Sequence, residues 1–402
     1  MDRYTTSSCC VALMAALALA APTPVGAQGQ TDGGNSASVK IGPLALTPAV
    51  SLTTGLDTNV LNQEADLAQQ DVTARLTPEV DAWLRIGRLR LHTRNQLANV
   101  YYKKFVQQRS LNVLSEAELD VDLNRFVPFV SAGFISTRDR VSSEIDGRPP
   151  SQERRVTLGH RFRLSSKTFL EVAHQRTAIT FGDSADFRGV DLQQSLNSQR
   201  IRTSAALRIT ATPVTTASVQ VDLEREEFEF SPFRDARTVR VVPVVEFSPF
   251  ALVSGRAAVG FRSFTPNDPT VPPFEGLVAA VDLGYTMRGA TRLSVRADRD
   301  VTYSYDPRQP YYLLNGYQVG LAQRLTDTLD ATASYRQQRL NYRSVAASTQ
   351  QDIATSITVG LSQIVNRHTR FGVVLEHARR ASAVVTSQYE GIRVNTSIDY
   401  RF

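Results

Sequence analysis

Cysteine is almost absent from this sequence, because Cys9 and Cys10 are the only two and both lie near the N-terminus. The same segment carries Arg3, an uncharged apolar run over residues 11–21 and small residues at 25–27. These are the features of a secretory signal peptide, which we place at residues 1–27. Cleavage there removes both thiols and excludes a disulfide framework. The exported chain must then be stabilised by burial or by backbone pairing.

Long apolar runs are also lacking. After residue 27 no run approaches the ~20 residues that a transmembrane helix needs, and no stretch shows convincing helical periodicity. The chain is 42% apolar with a mean hydropathy of −0.21, values typical of a soluble protein. Transmembrane barrels have similar composition, because half of each strand faces water. Composition therefore does not distinguish a soluble β protein from a membrane-embedded one.

The sequence does contain a period of two residues. In the final segment GIRVNTSIDYRF, Ile392, Val394 and Ile398 alternate with polar residues. Side chains of a β-strand point to opposite faces in turn, so this segment predicts a strand with one apolar face. About 18 segments repeat the pattern, most of them near the ~10 residues of a tilted spanning strand.

The connections between these segments alternate in length. Short ones, such as Gly87-Arg88 and 165–167, are followed by long polar ones, such as 139–152 and 182–198. One-sided long loops are typical of outer-membrane barrels, whereas a sandwich or a propeller does not require them. We predict an all-β transmembrane antiparallel up-and-down β-barrel of about 18 strands over residues 44–402. Residues 28–43 would form a periplasmic N-terminal linker, too short for a plug domain, although a long loop such as 182–198 could narrow the pore.

Two short motifs resemble known proteins. The ending, with Tyr400 and Phe402, resembles the signal read by the barrel-assembly machinery of Gram-negative bacteria. Residues 44–54 and the following Gly-Leu-Asp-Thr-Asn-Val (55–60) resemble the start of the putative β-barrel porin 2 family, in which Thr58 is usually serine. That resemblance implies an outer-membrane barrel associated with exopolysaccharide biosynthesis and export.

Arginine is the most informative polar residue, since four of the 45 basic residues are lysine and the rest are arginine. Many fall on the polar faces of the predicted strands, together with fewer acids. We expect part of this set to line the lumen: Arg90, Arg161, Arg202, Arg240, Arg262, Arg296, Arg336 and Arg393. Arginine–carboxylate pairs would stiffen the wall, and an excess of arginine would favour anions.

Motifs for catalysis or for cofactor and metal binding do not stand out, so we expect no enzyme and no cofactor. Asp57 with Asn59, and the group Asp183, Asp186 and Asp191, could bind Ca²⁺, although solvated loop carboxylates are the favoured interpretation. The expected partners are outer-membrane lipid, lipopolysaccharide, the assembly machinery and polysaccharide export components, and not nucleic acid. The family resemblance favours a channel for exopolysaccharide export, and the alternatives are a diffusion porin for small anions and a structural or adhesive barrel.

Overall fold

The computed structural model describes residues 37–249, 251–344 and 350–402. The predicted signal peptide and residues 28–36 of the predicted linker lie outside the described residues. Apart from short 3₁₀ turns, the secondary structure is: β1 Val39–Ile41, β2 Leu44–Asp57, β3 Asp71–Ile86, β4 Leu89–Tyr102, β5 Ser110–Val121, β6 Phe126–Thr137, β7 Ser151–Arg163, β8 Thr168–Phe181, β9 Asp186–Phe187, β10 Val190–Asp191, α1 Leu192–Leu196, β11 Ser198–Thr212, β12 Thr215–Phe228, β13 Ala236–Phe247, β14 Val253–Pro266, β15 Phe274–Met287, β16 Thr291–Tyr303, β17 Tyr311–Arg324, β18 Leu329–Arg343, β19 Gln351–Ile364, β20 Thr369–Ala381 and β21 Tyr389–Arg401. Among these residues no helix is long and apolar enough to cross a membrane.

The long strands form one closed antiparallel barrel. Each strand from β2 to β8 pairs with the next, β8 pairs with β11, and the series continues to β21, which pairs with β2. Within the described ranges this gives the predicted 18 barrel strands. They run from 12 to 16 residues, longer than the ~10 expected from the hydrocarbon thickness.

The closure between β2 and β21 is completed by a short hairpin. Residues 49–57 of β2 pair with β21, while residues 44–46 pair with β1 on the same side. The backbone N–H of Phe402 donates to the carbonyl of Pro48 at 3.2 Å between the two pairings. β1 thus satisfies backbone groups of β2 below the end of β21. It lies in the segment for which the sequence predicted a linker.

The two ends of the barrel differ, as the alternating connections predicted. One end has turns such as Gly87-Arg88, where Gly87 adopts φ +59°, a conformation that glycine accepts without strain. The other end carries the longer segments, including 58–70, 138–150 and 182–197. Both ends of the described chain lie on the short-turn side, which in outer-membrane barrels is periplasmic.

The strand faces have opposite character. On β12, Val221 and Leu223 are exposed on the outside, whereas Asp222 and Glu224 are buried. The inner face is identified by contacts that bypass intervening strands: Arg240 on β13 lies 3.0 Å from Asp300 on β16. An apolar outer face and a polar inner face are those of a barrel in lipid.

Candidate channel lumen

Segment 138–150, between β6 and β7, reaches across the lumen. The Glu144 carboxylate accepts hydrogen bonds from the Ser304 hydroxyl at 2.6 Å and from the backbone N–H of Tyr305 at 3.2 Å. The Ser143 hydroxyl donates to Gln338 on β18 at 2.6 Å. Because β18 lies on the opposite side of the barrel from β6 and β7, this segment spans the lumen from one side of the wall to the other.

Arg380 on β20 holds the tip of that segment. Its guanidinium donates to the carbonyls of Ser143 at 3.2 Å and Glu144 at 2.8 Å. The same group donates to the Asp352 carboxylate at 2.6 Å and lies 3.4 Å from Asp146. Arg380 is 2% exposed and Asp352 is fully buried. A buried guanidinium with two carboxylates and two carbonyls is a fully satisfied ionic centre.

Segment 182–197 also lies inside the barrel. It contains α1, whose first turn is capped by the Asp191 carboxylate, which accepts from the backbone N–H groups of Gln193 and Gln194. Leu192 of α1 packs with Ile145 of segment 138–150 in an apolar cluster that also includes Phe187. The two segments therefore share a small hydrophobic core within the lumen. We call segments 138–150 and 182–197 the crossing loops.

Polar contacts tie the second crossing loop to the wall and to the first. Arg188 donates to the hydroxyl of Ser387, in the turn between β20 and β21, and lies 3.3 Å from the Asp146 carboxylate. On another side, the Ser231 hydroxyl donates to the carbonyl of Gln194 at 2.6 Å. The loops are consequently anchored to each other and to well-separated parts of the wall.

Burial shifts the titration of groups in the first crossing loop. Removal from water raises the pKa of Glu144 to about 7, against the opposing effect of its hydrogen bond from Ser304. Burial lowers the pKa of Arg140 to about 9. Arg140 donates to the carbonyl of Asp146 and lies 3.7 Å from Asp57.

The ends of β16 and β17 narrow the lumen further. β16 pairs with β15 only as far as Arg299, so the two strands part above that residue. Val301 and Leu313 then pack with Phe264 and Phe274, inner-face residues of β14 and β15, instead of facing lipid. This places Ser304, at the end of β16, where Glu144 meets it.

The eight arginines proposed to line the lumen all lie on inner strand faces, mostly bound to carboxylates. Arg240 and Arg262 share Asp300, at 3.0 and 2.6 Å. The other positions are as follows: Arg90 pairs with Asp120 and Asp122; Arg161 with Glu118 and Glu171 at 3.0 and 3.1 Å; Arg202 with Glu224 at 2.7 Å; Arg296 with Asp282 at 2.9 Å; Arg393 with Asp57 and Glu376 at 3.1 Å; and Arg336 lies on β18 opposite Gln318 and Ser356. A solute path along them stays a prediction.

Sequence reasoning missed many inner-face acids, among them Glu79, Asp81, Glu116, Glu118, Asp120, Glu153, Glu171, Glu226, Asp300 and Asp352. With these included, the wall is far closer to charge balance than the sequence suggested. It also missed Arg380 and Glu144. Continuing the alternation from Glu376 by four residues would have found Arg380, whereas no local pattern marks Glu144.

Exposed inner-face arginines concentrate near the periplasmic end. Arg163, Arg292, Arg324 and Arg401 stand close to that end of β7, β16, β17 and β21. These four, called here the periplasmic arginines, are accompanied by carboxylates such as Asp330, which lies opposite Arg324. They are more exposed than the paired arginines deeper in the lumen.

The acidic groups considered for Ca²⁺ have other partners. Asp57 accepts from Asn59 and pairs with Arg393, and the Asp186 carboxylate accepts from the backbone N–H of Gly189 at 3.1 Å. Asp191 caps α1, as described above. Across the described ranges, no three His, Cys, Asp or Glu side chains are placed to hold a metal ion.

A closed 18-strand antiparallel barrel with lipid-facing apolar residues and a polar, loop-narrowed lumen defines a porin-like outer-membrane channel. The family model "Putative beta-barrel porin 2" matches residues 34–402, and the chain belongs to this family. Its family and fold are those of channels rather than of enzymes. No curated protein shows significant sequence similarity to the chain.

Solved structures share the fold at low sequence identity. Pseudomonas aeruginosa OpdK, crystallised with vanillate, aligns at a TM-score of 0.52 and 12% identity, over 89% of this chain and 99% of OpdK. Pseudomonas aeruginosa OccK9 (OpdG) aligns at a TM-score of 0.54 and 12% identity, over 89% of this chain and 98% of OccK9. At this identity the likeness extends to the barrel fold alone.

Proposed function

We propose that the protein is an outer-membrane channel for small solutes, with a preference for anions. The observation that carries this proposal is the pair of crossing loops, tied by Glu144, Arg188 and Arg380 to distant parts of the wall. An 18-strand barrel is wide enough for an aqueous lumen when empty. Loops anchored across it leave a narrower path, which suits small solutes better than polymers.

The anion preference is assigned to the periplasmic arginines. Most of the deeper arginines are bound to carboxylates, so their charge is locally neutralised and contributes less to selectivity. Arg163, Arg292, Arg324 and Arg401 are exposed to the lumen mouth, where a surplus of guanidinium groups attracts anions and repels cations. Selectivity is therefore set at the mouth, and size exclusion at the crossing loops.

The test is the reversal potential of single channels in a planar bilayer under a KCl gradient. We expect an anion-selective current that loses most of its selectivity in the double variant Arg292→Gln/Arg324→Gln. The matched control is Arg339→Gln/Arg379→Gln, which removes two exposed arginines from the outer face. Unselective wild-type current, or equal loss in both variants, would refute the anion preference. Vanillate, present in the OpdK structure, serves as a small anionic probe of conduction.

Exopolysaccharide export is the second candidate, and the position of the periplasmic arginines favours it. An acidic polymer leaving the periplasm would meet Arg163, Arg292, Arg324 and Arg401 first. Export would require the crossing loops to move aside. An acidic oligosaccharide added to the periplasmic chamber should then block the current at low concentration. A current that the oligosaccharide does not change would favour the small-solute channel. Absence of current from folded protein would favour a structural or adhesive barrel.

A further inference from the structure

Four exposed arginines stand on the lipid-facing side of the barrel, opposite to the face that lines the lumen. They are Arg154 on β7, Arg176 on β8, Arg225 on β12 and Arg237 on β13, all near the ends that carry the long loops. These strands are neighbours in the sheet, with only β11 between β8 and β12. Together the four residues are called the outer arginine patch.

Strand register brings the patch together. Arg176 lies opposite Ile201 of β11, Ile201 lies opposite Arg225, and Arg225 lies directly opposite Arg237. Directly opposed residues of an antiparallel pair have Cβ atoms about 5 Å apart, and like charges in that position repel. The pairing of Arg225 with Arg237 is thus unfavourable unless negative charge, from the protein or from a ligand, lies beside them.

Nearby carboxylates neutralise only part of this charge. Glu227 forms an ion pair with Arg225. The Asp235 carboxylate accepts from the backbone N–H of Phe228 at 2.8 Å. Arg176 donates to the uncharged Gln199 at 2.7 Å. The patch therefore keeps a net positive charge on the outer wall.

The depth of the patch is set by the residues below it. Two positions towards the membrane on the same face, three of the arginines have an exposed apolar side chain: Val156 below Arg154, Leu223 below Arg225 and Val239 below Arg237. Below Arg176 this position is His174, followed by the exposed Val172. The arginines thus lie just above the apolar band, at the level where lipid headgroups meet the barrel.

The patch is confined to one side of the barrel. At the corresponding ends of β2, β3, β4 and β5 the outer face carries Leu56, Val72, Tyr101 and Leu111, all exposed. Arg299 on β16, Arg339 and Arg343 on β18 and Arg379 on β20 also face outward, but β17 and β19 separate these strands, and Arg379 lies opposite Glu390. Among the described residues, only Arg225 and Arg237 place two arginines directly opposite each other on this rim.

We propose that the outer arginine patch binds the phosphate groups of a phosphorylated glycolipid in the outer leaflet of the membrane. Guanidinium groups bind phosphate bidentately, and a phosphate above Arg225 and Arg237 would offset their repulsion. The site lies on the opposite side of the wall from the lumen, so it is independent of the solute that the channel conducts.

Native mass spectrometry of the folded full-length protein in detergent tests the proposal. The probes are lipopolysaccharide with both lipid A phosphates, the same lipid after phosphatase treatment, and inorganic phosphate as competitor. We expect wild type to retain the phosphorylated lipid, and Arg225→Gln/Arg237→Gln to bind it at least about tenfold more weakly. The matched control Arg339→Gln/Arg379→Gln should bind it as wild type does.

Three results would overturn the proposal: equal retention by Arg225→Gln/Arg237→Gln and wild type, equal binding of the dephosphorylated lipid, or an equal loss in the Arg339→Gln/Arg379→Gln control. Complete displacement of the lipid by millimolar inorganic phosphate would also contradict it, since it would show a site for free phosphate. Heat-modifiable migration on SDS gels confirms that each variant is folded.

Discussion

Arg380 shows how a single side chain determines the shape of the lumen. It is buried on β20 and contacts Asp352 on the wall as well as the carbonyls of Ser143 and Glu144 on a crossing loop. Removing one partner of a buried ion pair leaves an uncompensated charge, at a cost of about 3–5 kcal/mol. The loop tip therefore depends on this residue.

We expect Arg380→Met to release segment 138–150 from the wall, because Asp352 and Asp146 lose their common partner. Single-channel conductance should rise, and protease should cleave within the segment in the folded barrel. The control is Arg379→Met, which changes the neighbouring exposed arginine on the outer face. Unchanged conductance and protease resistance in Arg380→Met would show that the loop is held by other contacts.

Glu144 should make the crossing loop sensitive to pH. Its pKa is raised by burial from 4.5 to about 7, so the packed loop retains a proton that the released loop loses. Packing of the loop against the wall is therefore most stable below pH 4.5, weakens as the pH rises from 4.5 to about 7, and stays weaker above pH 7. Between these two limits the free energy of packing changes by about 3 kcal/mol.

Openings of the channel should accordingly become more frequent as the pH rises from 4.5 to 7 and level off above. Glu144→Gln carries no titrating proton and should flatten this dependence while keeping the hydrogen-bond acceptor. Single-channel recordings across this range measure it. The same pH dependence in Glu144→Gln would assign the effect to another group.

At the scale of elements, the sequence predicted the strands well because lipid and water impose opposite preferences on alternate residues. β8 departs from this rule, because His174 and Arg176 share the outer face with Leu170 and Val172. The rule fails for short elements. The three residues of β1 and the five of α1 are too few to show a period.

The candidate site was less predictable, because it depends on contacts between residues far apart in sequence. Glu144 and Ser304 are 160 positions apart, and both lie in or beside polar connections that resemble ordinary surface loops. The inner-face arginines could be located by alternation, but their carboxylate partners depend on strand order and register. The residues of the wall could therefore be predicted from the sequence, whereas the anchoring of the loops across the lumen could not.

The end of β21 carries a prediction about assembly that the folded structure leaves open. Tyr400 and Phe402 are exposed, and their rings pack at 4.8 Å between centroids. If this ending is read by the assembly machinery before folding, Phe402→Ala should lower the amount of folded barrel in cells. Refolding of the purified variant in detergent should be nearly unaffected.

Phe371→Ala, which truncates an exposed aromatic residue of β20, is the matched control and should assemble normally. Heat-modifiable migration on SDS gels measures both quantities. Equal assembly of Phe402→Ala and wild type in cells would exclude the signal, and a refolding defect of similar size would indicate a role in stability instead.

In the whole molecule, the barrel wall and the lumen are closed by different kinds of interaction. The wall closes through backbone pairing from β2 round to β21, which is required in lipid because no water is present to satisfy an open edge. The lumen is narrowed by side-chain contacts of the crossing loops, which are individually weaker and spread over several strands. The barrel should therefore persist under conditions in which the loops are released.

The conductance of a loop-shortened variant tests the central claim most directly. Replacing residues 183–196 by a short Gly-Ser linker removes α1 and the residues that this segment contributes to the apolar cluster, while leaving β8 and β11 intact. We predict a folded barrel with several-fold higher single-channel conductance in a planar bilayer, and with reduced discrimination by solute size. A folded variant with wild-type conductance and size discrimination would contradict the assignment of the crossing loops as the constriction.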